Sequence, residues 1–182
     1  MYQIFEKSPL KNFDFSYSVI VHKKCTFCGQ KRKKDFNMKD YSTVEEIYAN
    51  NFCSERIYKR KTCPHLAYTE GVMDLMEVFN AHWIVDNVIS YMQQVLKTLK
   101  RTEDTFYVVQ IAIKQDNSGF MEVYHEGYVN NEYKDHISVI KQNIPYIDLP
   151  TKPDTKITRY KFYLELSNDE PVTFTLLLPS EH

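Results

Sequence analysis

Glycine is scarce in this chain, with four residues in 182. No P-loop and no dinucleotide-binding fingerprint occurs, and neither a His-Glu-x-x-His helix nor a Gly-x-Ser-x-Gly elbow is present, so the commonest nucleotide, metalloprotease and esterase machineries are excluded. No apolar run approaches the roughly 18 residues of a membrane-crossing helix. The start, Met1-Tyr2-Gln3-Ile4-Phe5, has neither the basic region nor the long apolar stretch of a secretory signal, so a reducing, cytoplasmic compartment is expected. There is no internal repeat and no low-complexity tract. Cysteine is absent after position 63.

The cysteines that do occur are grouped. Cys25-Thr-Phe-Cys28-Gly29 is followed by Cys53 and Cys63, which is one tetrahedral site's worth of thiols. A Cys-x2-Cys-Gly turn lets two thiolates reach one ion, and Gly29 permits the reversed backbone such a knuckle needs. A single Zn²⁺ held by Cys25, Cys28, Cys53 and Cys63 is therefore expected, with His65 of Cys63-Pro-His65 as an alternative ligand. Of the other histidines only His22 lies close enough in sequence to join. Reduced cysteines filling small core gaps are the plain alternative. A redox dithiol fits poorly, because the pair does not open a helix in a β-α-β unit.

Charge divides the chain at about the same place. Residues 1–66 hold 13 Lys/Arg against 7 Asp/Glu, whereas residues 67–182 hold 10 against 17, so a formal charge of −1 conceals a basic front and an acidic back. Lys23-Lys24 and Lys31-Arg32-Lys33-Lys34 bracket the knuckle, and Lys59-Arg60-Lys61 approaches Cys63. With Phe27, Phe36 and Tyr58 interleaved, these cations suit phosphates and unpaired bases. A solvated lysine-rich surface is the bland reading. The expected organisation is a small zinc-stapled basic module over 1–66 and a second domain over 67–182.

Fourteen Tyr and 11 Phe beside so little glycine argue for a packed, strand-rich globule. Alternation over Phe13–Val21 reads as a strand, and Ser42 or Thr43 with Glu45 and Glu46 as the cap of a short helix. Thr69 caps a run with Val72, Leu75, Met76 and Phe79 on one helical face. After Asn80-Ala81, a longer run from Trp83 to Leu99 follows, with Trp83 expected to be buried. Tyr107–Ile113 and Met121–His125 flank the turn Asp116-Asn-Ser-Gly119 as a hairpin, and Ile137–Val139, Ile144–Leu149, Tyr160–Leu166 and Val172–Leu178 supply further strands. Helices first and strands after predict an α+β domain, a two-helix pair packed on an antiparallel sheet.

Four motifs of the second region appear in a fixed order: Thr69-Glu-Gly-Val72, Trp83-Ile-Val-Asp86-Asn-Val-Ile-Ser90, Gln142-Asn-Ile-Pro-Tyr-Ile-Asp148-Leu-Pro150 and Leu178-Pro-Ser-Glu-His182. Through them residues 67–182 resemble a bacterial and mobile-element domain family of unknown function. Ile147 stands where the family pattern has Thr, Leu149 where it has Phe, and His182 where it has Tyr. The resemblance implies a fold and a bacterial host cell, and brings no activity with it.

The function expected is a non-enzymatic binding protein of phage or mobile-element origin whose target is RNA or an RNA-handling host protein. One concrete version is an inhibitor of a host defence nuclease such as an RNA-guided CRISPR effector. The alternative from another class is a small metal-dependent hydrolase or nuclease using Glu70, Asp86 and Asp148, with Gln142 nearby. Each of those residues also has a structural reading: Glu70 as a first-turn carboxylate, Asp86 beside Trp83, and Asp148 before a proline turn. A protein-only adaptor is a third possibility.

Overall fold

The computed structural model describes residues 40–129, 132–167 and 172–182, and the backbone of 17–21. In chain order the elements are β1 (Tyr17–Val21), α1 (Tyr41–Asn50), β2 (Arg56–Arg60), β3 (Leu66–Thr69), α2 (Glu70–Phe79), α3 (Trp83–Thr102), β4 (Phe106–Lys114), β5 (Gly119–Val129), β6 (Glu132–Ile144), β7 (Ile157–Ser167) and β8 (Thr173–Leu177), closed by a 3₁₀ turn at Pro179–Glu181. The class is α+β, with three α-helices among the described residues where the pattern of the second region alone predicts a pair.

Local chemistry sets the helix ends. The Asp40 carboxylate caps α1, accepting from the Thr43 N–H at 3.2 Å and the Ser42 hydroxyl at 2.6 Å. Those bonds, Ser42's first, hold the Asp40 carboxyl below its ordinary range. The cap thus lies upstream of Ser42 and Thr43, because an extended Asp40 offers its carboxylate to both of them. Asn80, at φ 54°, takes the left-handed conformation that ends α2. The Ala81 N–H then bonds back to the Met76 carbonyl at 2.8 Å, and α3 starts two residues later.

Seven strands drawn from residues 56–177 form a mixed sheet, and β1 adds an eighth along its β2 edge, giving the order β1-β2-β3-β8-β7-β4-β5-β6. Every neighbouring pair is antiparallel except β3 with β8. The parallel pair follows from direction: β3 is fixed by β2 and β8 by its hairpin with β7, and the two hairpins meet with their edges running the same way. The β3–β8 contact is long-range, joining Leu66 to Phe174 and Tyr68 to Leu176.

The segment Ile144–Leu149 departs from its expected strand. Strand β6 runs from Glu132 to Ile144, its pairing with β5 shifting register at Val123/Tyr124 and at His125/Gly127, and stops at Pro145, which has no N–H to continue the ladder. Ile147 and Leu149 are still 1% and 3% exposed, so their apolar alternation reports a crossover pressed onto the core. The Ile147 N–H bonds to the Asn117 carbonyl at 2.8 Å in the β4–β5 turn.

One core joins the described residues from α1 to Leu178. Tyr107, Val109, Ile111 and Ile113 of β4, Tyr160, Phe162 and Leu164 of β7, and Phe174 and Leu176 of β8 pack with Val72, Leu75 and Met76 of α2 and Ile84, Val88 and Val95 of α3. Val44, Ile47, Tyr58 and Cys63 belong to the same cluster, so the step in charge at residue 66 is not a break in packing. It falls at the first residue of β3. Trp83 sits at the margin of this core, partly exposed, and does not lie buried between helix and sheet.

Candidate nucleic-acid interface

The four sequence motifs meet in pairs. The Glu181 carboxylate accepts the Gly71 N–H at 3.2 Å, the Thr69 hydroxyl at 2.6 Å and the Leu178 N–H at 2.9 Å, and the Ser54 hydroxyl as well. Thr69 therefore sits at the start of α2 without capping it by its own side chain, and Glu181 supplies the acceptor. A Cβ on Gly71 would stand 2.8 Å from both Glu181 Cδ and Leu178 Cδ1, which is why glycine is needed there. In the second pair, the Trp83 indole N–H donates to Asp148 Oδ1 at 3.0 Å, and the Tyr91 hydroxyl to Gln142 Oε1 at 2.7 Å.

The polar residues singled out in the sequence are thus distributed over separate contacts. Asp86 pairs with Arg60, Asp148 with Trp83 and Gln142 with Tyr91, while Glu70 opens α2. Among the described residues no three His, Cys, Asp or Glu side chains lie together as metal ligands. Cys25 and Cys28 fall outside the described residues. Cys63 is buried in the core and Cys53 is exposed. His65 donates through Nδ1 to the Val172 carbonyl at 2.7 Å, where β3 meets the start of β8.

The basic clusters are also divided. Lys23, Lys24, Lys31, Arg32, Lys33 and Lys34 lie outside the described residues. Arg60 is drawn to Asp86 on the helix side of the sheet, and strand alternation turns Lys59 to the opposite side from the buried Tyr58. Lys61 is exposed in the following turn.

A larger cationic surface arises from the sheet itself. Residues bonded or packed to the helices all come from one face, for example Tyr160 against Tyr41 and Gln142 against Tyr91. On the other face the strands place side chains in rows: Lys161, Gln110, Glu122 and Lys141 form one row across β7, β4, β5 and β6, and Arg159, Ala112, Phe120 and Asn143 form the next. A third carries Tyr163, Val108, Tyr124 and Ser138. Arg159 and Lys161 are exposed and alternate with buried Thr158, Tyr160 and Phe162. No helix of the described residues covers this face.

Rings and charges there support each other. Phe106, 37% exposed, lies 5.0 Å from Tyr163 and 5.6 Å from His182 between ring centroids, and His182 pairs with Glu165 at 2.5 Å. Lys141 Nζ stands 3.8 Å over the Phe120 ring and 3.4 Å from Glu122. His136 stacks on Tyr124 with centroids 4.1 Å apart and reaches Glu122 at 3.2 Å. Burial pushes the Glu122 carboxyl up, but Ser138, His136 and Lys141 outweigh it and hold it below its ordinary value. The result is a face free of described helices, with Lys141, Arg159 and Lys161 exposed among aromatic rings above the buried Ala112, Glu122 and Tyr124, and two carboxylates already occupied by neighbours. Sequence reading fixed on lysine runs and passed over these cations, whose signal is their place at the outward positions of period-two strands.

The surface chemistry must be read from the chain itself, because comparison with curated proteins and with solved structures finds no match. A family match is found, and it takes in α1, β2 and β3 as well as the region carrying the four motifs, in keeping with the single core. The chain belongs to the family of unknown function DUF6876, whose pattern matches residues 42–182.

Proposed function

We propose that this protein is a non-enzymatic RNA-binding protein that holds single-stranded RNA on the open face of its sheet. The observation that carries the reading is the segregation of the α-helices of the described residues to one side, which leaves Phe106, Phe120 and Tyr163 together with Lys141, Arg159 and Lys161 on the other. Aromatic side chains on a sheet stack bases, and cations beside them neutralise phosphates. The sequence adds six Lys/Arg over residues 23–34, and a Zn²⁺ would be held by Cys25, Cys28, Cys53 and Cys63 or His65. The resemblance to a mobile-element family makes a host RNA or an RNA-bearing complex, an RNA-guided defence nuclease included, the expected target.

The test is a mobility-shift titration of full-length protein with an unstructured RNA such as oligouridine. Affinity should fall steeply with salt. Arg159→Glu with Lys161→Glu should weaken binding by tenfold or more and leave the melting temperature nearly unchanged, since both side chains are exposed. Lys33→Glu with Lys34→Glu measures the share of the N-terminal cations. A protein that shifts no RNA or DNA even at low salt overturns the proposal.

A further inference from the structure

The crossover between β6 and β7 builds a second feature. Along Tyr146-Ile147-Asp148-Leu149 the chain alternates, with Ile147 and Leu149 buried at 1% and 3% and Tyr146 and Asp148 turned outward, Tyr146 being 66% exposed. The display is rigid from beneath. Ile147 is tied through its N–H to the Asn117 carbonyl, and the Pro150 carbonyl accepts the buried Tyr160 hydroxyl at 2.5 Å. Asp148 is further fixed by the Trp83 indole N–H on Oδ1, and Oδ2 takes no protein donor among the described residues. Beside these groups lies a cleft of about 300 Å³, lined by Phe79, Asn117, Tyr146, Asp148, Pro150 and Thr151.

We infer that this cleft is a guanine pocket, in which the base stacks on Tyr146 and gives its N1–H and N2–H to the Asp148 carboxylate. The inference rests on the RNA-binding reading and deepens it, adding base selectivity from a cleft on the helix side of the sheet, beside Phe79 of α2 and Trp83 of α3, to the backbone contacts of the opposite face. Oδ1 keeps a second lone pair beside the Trp83 bond and Oδ2 is open, so the two oxygens of the carboxylate match two adjacent N–H groups on one planar edge. Guanine alone among the four bases presents that pair, with O6 as acceptor beside it, and the Asn117 side-chain amide in the cleft wall supplies a donor of the right kind. Adenine and cytosine each carry an acceptor where the carboxylate needs N1–H, so they are repelled. A planar cation such as an arginine side chain carries a similar edge, so arginine amide serves as the competing probe.

Because Trp83 is the only tryptophan, its indole N–H resonance reports directly on Asp148. Full-length protein would be titrated with guanosine, inosine and adenosine monophosphates and with arginine amide. Guanosine monophosphate should shift that resonance and bind at least about fivefold tighter than inosine monophosphate, which lacks the N2 amine. Asp148→Asn keeps an acceptor for Trp83 but loses the preference, and Tyr146→Ala should weaken guanosine and inosine monophosphates alike. Equal or absent responses to the nucleotides overturn the pocket, and so does a response to arginine amide alone, which would reassign the cleft to a protein partner. Oligouridine contains no guanine. Its binding therefore tests the open face separately, and either result can fail while the other stands.

Discussion

The Glu181 carboxylate accepts a hydrogen bond from the backbone N–H of Gly71, 110 residues away along the chain. A side chain from beyond the last strand thus does for α2 what an N-cap residue ordinarily does from within the helix. The contact closes the β3–β8 junction, since Thr69 ends β3 and Leu178 follows β8, and both donate to the same carboxylate. Removing the acceptor leaves donors of a partly buried site unpaired. Glu181→Ala is expected to cost about 1–3 kcal/mol. Gly71→Ala, which brings a methyl group 2.8 Å from Glu181 and Leu178, is expected to cost a similar amount, and urea denaturation of both single variants and the double variant should show the two losses failing to add.

Trp83→Phe keeps most of the ring and removes the donor to Asp148. The expected loss is about 0.5–1.5 kcal/mol, the net worth of one hydrogen bond. Trp83→Ala should cost about 2–3 kcal/mol, less than a fully buried aromatic, because Trp83 only borders the core. Thermal melts of both variants decide this, and a loss well above 4 kcal/mol for the alanine variant would mean a deeper burial than the structure has.

Glu122 gives stability a specific acid limb. Burial pushes its carboxyl up, yet Ser138, His136 and Lys141 hold the folded-state value below the ordinary 4.5. Near that pH the unfolded chain binds more protons than the folded one, so the contribution is fully present above the ordinary value and is lost as pH falls through the depressed one. Glu122→Gln should therefore flatten the decline of stability below about pH 4.5 while lowering stability at neutral pH. Denaturation curves across pH 3–7 measure both.

Elemental analysis of purified protein should find about one zinc per chain, and a chelator should lower the melting temperature if the ion staples the N-terminal residues to the sheet. Zinc retained in Cys53→Ser would make His65 the fourth ligand. Its Nδ1–H already bonds the Val172 carbonyl, which leaves Nε2 as the coordinating atom. Metal-free protein with an unchanged melting curve removes the site.

Much of the fold was legible because it depends on short-range periodicity. The helical faces of Val72–Phe79 and Ile84–Val95, the stop at Asn80-Ala81 and the hairpin around Asp116–Gly119 each rest on residues a few positions apart, and each is found in place. The tertiary structure decided what periodicity cannot carry. Residue type alone left Glu70, Asp86, Gln142 and Asp148 open to catalysis, and their long-range partners distributed them over separate contacts: Arg60 for Asp86, Tyr91 for Gln142, Trp83 for Asp148. Likewise Ile147 and Leu149 announced an apolar alternation, but only the missing N–H of Pro145 and the bond to Asn117 make it a crossover rather than a strand. The open face is the clearest case. Arg159, Lys161, Lys141 and Phe120 lie on three strands far apart in sequence, and they become one surface because strand register aligns them and the helices all choose the other side.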